Sequence, residues 1–322
     1  MTCRLPLALT KKIKGKVWYN EPLRNHTTWQ IGGPAEILVE PASREDLIAV
    51  LAFVRDQGLP LTVIGNGSNL LVSDGGIKGV VVKIGEALGR ISIVGERIVA
   101  QAGAKLGRVV AVAQAAGLGG LEFAVGIPAT IGGAVTMNAG ANGAAMADVV
   151  ETVTVVDYEG KEQILSAAEM CFGYRYSRLQ KLKAIVVEII LYLTPRDPWE
   201  ISRRGKEYLR KRRLTQPLEY PSAGSVFKNP PGDAAGRLIE LAGAKGLRIG
   251  DAMVSERHAN FIVNLGNARA QDVLLLIKRV REMVREKFGV ALELEVKVLG
   301  ESGAGWLDAF CPQGSKPLAG ND

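Results

Sequence analysis

The stretch Gly126–Gly140, GIPATIGGAVTMNAG, decides how the rest of the chain is read. Glycine accepts backbone angles that a Cβ resists and lets another molecule approach the main chain closely. Gly126, Gly132, Gly133 and Gly140 all lie here, Pro128 stiffens a corner, and Thr130 and Asn138 offer hydrogen-bonding side chains. Apolar Ile131, Ala134, Val135 and Met137 separate these polar points. The stretch therefore reads as an ordered loop folded against a large, flat ligand that is polar at one end. A tight turn between core strands uses the same residue types, so the stretch alone leaves both readings open.

Toward the N-terminus, Leu61–Ile64 reads as a short buried strand and GNGSNL, Gly65–Leu70, follows it. A Rossmann fingerprint needs strand, glycine turn and helix together. Leu70 stands at the third glycine position, and Leu71–Gly79 is not helical in pattern, so that fingerprint is rejected. A nest remains: Gly65, Asn66, Gly67, Ser68 and Asn69 can turn several backbone N–H groups toward one phosphate without a helix. A polar turn between strands is the plain alternative. Further back, Ile37–Val39 reads as a strand, and a helix opens at Ser43 with Asp46 at capping-box spacing. Leu47, Val50, Leu51 and Val54 repeat at helical spacing until Gly58. With Val80–Ile84 as the next strand, the chain begins as a β-α-β unit. Met1–Lys16 is basic and carries no predicted element.

Ile91–Val94 and Ile98–Gln101 pair as a hairpin around Gly95-Glu96, and Leu106–Ala116 is a helix that stops at Gly117. Beyond the glycine-rich stretch, Glu151–Asp157, Lys161–Leu165 and Ala184–Leu193 read as strands. Trp199–Arg213 is a basic helix. It carries no repeated basic-aromatic pattern and the chain no nucleic-acid motif, so a solvated face that also steers a phosphorylated small molecule is preferred to a nucleic-acid surface. Gln216–Pro230 is crowded with turn residues. Asp233–Leu241 is a short helix, Phe261–Asn264 a strand, and Ala270–Phe288 a helix with Val273, Ile277, Val280 and Val284 in one stripe. Leu292–Val298 alternates: Leu292, Leu294, Val296 and Val298 on one face, Glu293, Glu295 and Lys297 on a solvated one. Glu301–Asp322 reads as a loosely held tail.

The 322 residues suit two or three domains. Cys3, Cys171 and Cys311 are far apart and form neither a disulfide framework nor a metal pair, which suits a reducing compartment. His26 and His258 cannot supply a multi-histidine metal site, so no metal is expected. No apolar run spans a bilayer, and Lys11, Lys12 and Lys14 follow a stretch too short for a signal sequence. A cytoplasmic protein is expected, without membrane or nucleic-acid partners. The net charge of +7 favours anionic ligands. Oligomeric state is not written in the sequence, and a monomer is compatible with it.

Five stretches in order resemble one family, the UDP-N-acetylenolpyruvoylglucosamine reductases, MurB flavoenzymes of peptidoglycan synthesis. They are NHTTWQIGGPA (Asn25–Ala35), GNGSNL, GIPATIGGAVTMNAG, GYRYS (Gly173–Ser177) and PSAGSVFKNP (Pro221–Pro230). HANFIVN (His258–Asn264) and LELEVKVLG (Leu292–Gly300) complete the set, which is similar to the shorter second type of the family.

The resemblance implies an α+β fold. A two-part FAD-binding domain of the vanillyl-alcohol-oxidase (PCMH) type would occupy 1–85 and 86–198. A C-terminal α/β substrate-binding domain would occupy 199–300, with 301–322 as a tail. It also implies an enzyme, UDP-N-acetylmuramate dehydrogenase, with non-covalent FAD and NADPH as co-substrate. Hydride passes through FAD to the methylene carbon of an enolpyruvyl UDP-sugar, and a serine protonates the neighbouring carbon. By the same resemblance Arg175, Ser225 and Glu295 are catalytic. Gly65, Asn66, Gly67, Ser68, Asn69, Gly126, Thr130, Gly133, Asn138 and Gly140 hold FAD, and Lys228, Asn229 and Asn260 hold substrate. Ala129 departs from the family's usual glycine, and Gln30 from its frequent arginine or lysine. Two rivals stay open at this point: an FAD-linked oxidase of the same superfamily, and a non-catalytic basic binding protein.

Overall fold

The computed structural model describes residues 13–300. The expected tail, the first twelve residues, Cys3 and Cys311 lie outside the described residues.

The first part holds β1 (Lys16–Pro22), β2 (Pro34–Glu40), helix α1 (Arg44–Asp56), β3 (Leu61–Ile64), β4 (Leu70–Val72) and β5 (Ile77–Lys83). Four strands form a sheet in the order β1-β2-β5-β3, with β2 and β3 both parallel to β5. Parallel neighbours need a crossover, and α1 supplies it. Ser43 caps α1, its Oγ accepting from the Asp46 N–H at 3.2 Å. Asp46 does not complete a reciprocal box. Its carboxylate instead accepts from the N–H groups of Lys14, Gly15 and Ala42, tying the incoming chain to the helix.

The second part is an antiparallel sheet of β6 (Ile91–Val94), β7 (Arg97–Gln101), β8 (Val150–Asp157), β9 (Glu162–Ser166) and β10 (Ala184–Tyr192), ordered β9-β8-β10-β7-β6. Helix α2 (Leu106–Ala115) lies between β7 and β8 in the chain. Leu47 and Val50 of α1, Val80 and Val82 of β5, and Ile98 and Ile189 of the second sheet share one buried core. That core fixes the two sheets relative to each other.

The glycine-rich stretch is not wholly a loop: Ile131–Thr136 forms a short helix, α3. Thr130 caps it, with Oγ1 accepting from the Gly133 N–H. Ile131, Ala134 and Val135 are buried at i, i+3 and i+4. Tertiary burial thus overrides the low helix propensity of two glycines.

The third part comprises α4 (Pro198–Thr215), α5 (Ala235–Leu241), β11 (Arg248–Ile249), β12 (Ala252–Val254), β13 (Ile262–Asn264), α6 (Ala270–Phe288) and β14 (Lys297–Leu299). The expected stripe on α6 is buried in a second core, which also takes in Trp29, Ile31 and Leu71 from the first part. Trp29 Nε1 donates to the Ile262 carbonyl at 2.9 Å, and Asn264 Nδ2 donates to the Trp29 carbonyl at 3.0 Å. The run Asn25–Ala35 is therefore a structural joint between the first and third parts.

Leu292–Val298 is not one strand. Only Lys297–Leu299 is regular, and it pairs in parallel with β4, Lys297 opposite Leu70 and Leu299 opposite Val72. Upstream, the N–H groups of Glu295 and Val296 both point at the Val226 carbonyl, at 2.8 and 3.4 Å. Two residues facing one partner break the alternation. Glu293 is exposed, but the Glu295 side chain is only 13% exposed.

Candidate active site

A cavity of about 1310 Å³ opens where the three parts meet. Its first wall is the turn after β3. Gly67 has φ +65°, and a Cβ there would collide with the His26 carbonyl oxygen, so glycine is required. Asn66 Nδ2 donates to the Pro128 carbonyl at 2.6 Å, fastening this turn to the glycine-rich stretch. A Cβ on Gly65 would collide with Thr130 Oγ1. Together with Gly132, Gly133 and Gly140, these glycines leave a wall of bare backbone on the cavity.

Arg175, Glu295 and Ser225 line the same cavity. Gly173 and Tyr176 exchange backbone hydrogen bonds at 3.0 and 3.1 Å, closing a tight turn with Arg175 at its corner. Arg175 has φ +54°, which costs a non-glycine residue about 1 kcal/mol. Gln180 Nε2 holds the Arg175 carbonyl at 3.0 Å. The Arg175 guanidinium Nε lies 2.5 Å from Glu295 Oε1. Burial pushes the Glu295 carboxyl above its ordinary pKa, while the Arg175 charge and hydrogen bond oppose the shift. Ser225 lies on the same cavity, held by a backbone bridge to Phe261, and its hydroxyl has no hydrogen-bond partner among the described residues.

Of the residues singled out from sequence, Gly65, Asn66, Gly67, Ser68, Asn69, Gly126, Thr130, Gly133, Gly140, Arg175, Ser225 and Glu295 all line this cavity. Four do not. Asn138 is buried, bonding the Gly173 carbonyl at 2.8 Å and the Ala147 N–H at 2.9 Å. Asn260 is buried and clamps both backbone groups of Phe227, at 2.9 and 2.8 Å. Lys228 pairs with Glu293 at 3.3 Å, and Asn229 Oδ1 accepts from Ala235 N–H at 3.0 Å. These side chains shape the segments that carry Arg175 and Ser225.

Sequence reading missed Arg212. It lies on the cavity wall near the end of α4, packed beside Gly126. Burial lowers its pKa, and its guanidinium has no partner among the described residues. Nothing in the local pattern separates it from the other basic residues of α4. Lys297, read as solvated, also lines the cavity.

A cavity larger than the usual few hundred Å³ of a small-molecule pocket, walled by bare glycine backbone, fits a dinucleotide and a second ligand together. Comparison with known proteins agrees. Residues 35–166 match the FAD binding domain model, and residues 216–299 match the C-terminal domain model of UDP-N-acetylenolpyruvoylglucosamine reductase. The reductase of Moorella thermoacetica is 53% identical over 289 residues, 90% of this chain and 95% of that one. That of Desulforamulus reducens is 50% identical over 293 residues, 91% of this chain and 97% of that one. The crystal structure of UDP-N-acetylenolpyruvylglucosamine reductase (MurB) from Thermus caldophilus superposes with a TM-score of 0.77. Its identity is 44%, covering 89% of this chain and 99% of that one.

Fold and site together define an FAD-binding oxidoreductase of the α+β class, with an FAD-binding domain followed by a C-terminal domain. The chain belongs to the UDP-N-acetylenolpyruvoylglucosamine reductase family. Among the described residues no helix is long and apolar enough to cross a membrane.

Proposed function

We propose that the protein reduces the enolpyruvyl ether of UDP-N-acetylglucosamine to UDP-N-acetylmuramate for peptidoglycan synthesis, with NADPH as the reductant. The observation that carries this reading is the convergence of Arg175, Glu295 and Ser225 on a single glycine-walled cavity. FAD, when bound, relays hydride from NADPH to the sugar's enolpyruvyl group. Arg175 presents its guanidinium to the substrate carboxylate, where negative charge builds as hydride reaches the terminal methylene carbon. Glu295, favoured in its protonated form by burial, donates a hydrogen bond to the same developing enolate. Ser225 delivers a proton to the neighbouring carbon, and water returns one to its oxygen. One hydride and one proton are thus added across the double bond. Non-covalent retention of FAD is supported by the His26 ring, which does not line the cavity and whose nitrogens lie 3.0 Å from Glu21 and 3.1 Å from Lys83.

The test is anaerobic. NADPH is expected to bleach the flavin, and the enolpyruvyl UDP-sugar is expected to restore the oxidised spectrum. A bleached flavin that the sugar leaves bleached refutes the reading.

A further inference from the structure

Resting on that reading, we propose that Tyr174 is a positioning residue that sets the Arg175 guanidinium against the Ser225 segment across the interface of two domains. Tyr174 and Arg175 share the corner of the Gly173–Tyr176 turn, which belongs to the second sheet's part of the chain. The Arg175 guanidinium carbon stands over the Tyr174 ring, 5.2 Å from its centroid. The ring thereby backs the cation on one side while Glu295 holds it on another. The Tyr174 hydroxyl accepts from the Asn229 N–H at 3.3 Å. Asn229 lies four residues beyond Ser225, in the third part. One side chain therefore touches the catalytic cation and grips the backbone that carries the proton donor.

Tyr174 does not line the cavity, and it remains 54% exposed. A side chain that exposed contributes little to the core, so its defined contacts concern placement more than stability. The arrangement also explains how a left-handed Arg175 keeps one orientation on a short turn. Gln180 pins its carbonyl, Asn138 pins the Gly173 carbonyl, and Tyr174 pins its charged end.

The experiment uses the FAD-loaded enzyme and two variants, Tyr174→Leu and Tyr174→Phe. The half-reactions are followed separately by flavin absorbance, with melting temperature as the control. Tyr174→Leu is expected to slow reoxidation by saturating enolpyruvyl UDP-sugar about tenfold, with flavin reduction by NADPH, the KM for the sugar and the melting temperature unchanged. Tyr174→Phe keeps the ring and loses only the bond to Asn229, so its reoxidation is expected to lie between wild type and Tyr174→Leu. Reoxidation of Tyr174→Leu within twofold of wild type overturns the proposal. So does equal slowing of both half-reactions. If Tyr174→Leu does not fold, Tyr174→Phe decides: a reoxidation rate equal to wild type overturns the proposal. A wild-type enzyme that the sugar does not reoxidise refutes the proposed function, a result distinct from any of these.

Discussion

The side-chain amide of Asn69 donates to the backbone carbonyl of Glu295 at 3.1 Å, joining residues separated by 226 positions in sequence. The Lys297 N–H returns a bond to the Asn69 carbonyl at 2.9 Å. The turn that begins the cavity thus aligns the carboxyl that completes it. Asn69→Ala removes one such hydrogen bond, worth about 1 kcal/mol. Reoxidation of the reduced flavin by the sugar is expected to slow roughly fivefold, measured by stopped flow. A rate equal to wild type shows that β14 alone places Glu295.

Glu295 also gives a pH signature. Its folded-state pKa is raised above the ordinary value of 4.5. Its contribution to stability is fully present below the unfolded pKa and is lost as pH rises through the raised folded value. Glu295→Gln removes that dependence. The melting temperature of the variant minus that of wild type is therefore expected to increase as pH is raised from about 4 toward neutrality. A difference that is flat or falls with pH means that the Arg175 pairing outweighs burial.

Ser225→Ala keeps the backbone bridge to Phe261 and removes only the free hydroxyl. Reduction by NADPH is expected to be unchanged, while reoxidation by the sugar slows by about 10²-fold or more, the range of a lost general acid. Equal reoxidation removes Ser225 from the proton-delivery role.

Arg212 makes a separate prediction about anions. An unpaired guanidinium on a desolvated wall is costly until a negative group meets it. Arg212→Met is expected to leave the melting temperature of the apoprotein unchanged or higher. Affinity for FAD is expected to fall about tenfold, the scale of one lost hydrogen bond to a charged group, by fluorescence titration. If FAD affinity is unchanged and the KM for the UDP-sugar rises, Arg212 meets the sugar's diphosphate.

Trp29 tests the joint between the first and third parts. It is fully buried, in the same core as Val226 and Ile262. Trp29→Ala is expected to cost about 3–5 kcal/mol, read from urea denaturation. A cost below 1 kcal/mol would show that this core is not shared.

Regular elements were the most legible part of the sequence. Ala270–Phe288 was marked by its apolar stripe and by Gly289, and the structure has the same bounds, with φ +69° at the glycine. Glycine also pointed to the cavity, because bare backbone is written directly in residue type. What the sequence concealed depends on distant partners. Leu292–Val298 alternates like an exposed edge, yet two N–H groups sharing the Val226 carbonyl turn Glu295 inward. Local pattern carries no trace of that carbonyl. Arg212 differs from its helical neighbours only because Gly126 packs beside it. Trp29 sits among polar residues, so its burial is decided by a segment more than two hundred positions away.

The parallel pairing of Lys297–Leu299 with Leu70–Val72 has a consequence for biosynthesis. A ribosome releases every strand of both large sheets before it releases Glu295. The nascent protein therefore passes through an interval in which the glycine-walled half exists without its carboxyl group. Pairing of Lys297–Leu299 with Leu70–Val72 can begin only after nearly all of the described chain has been made.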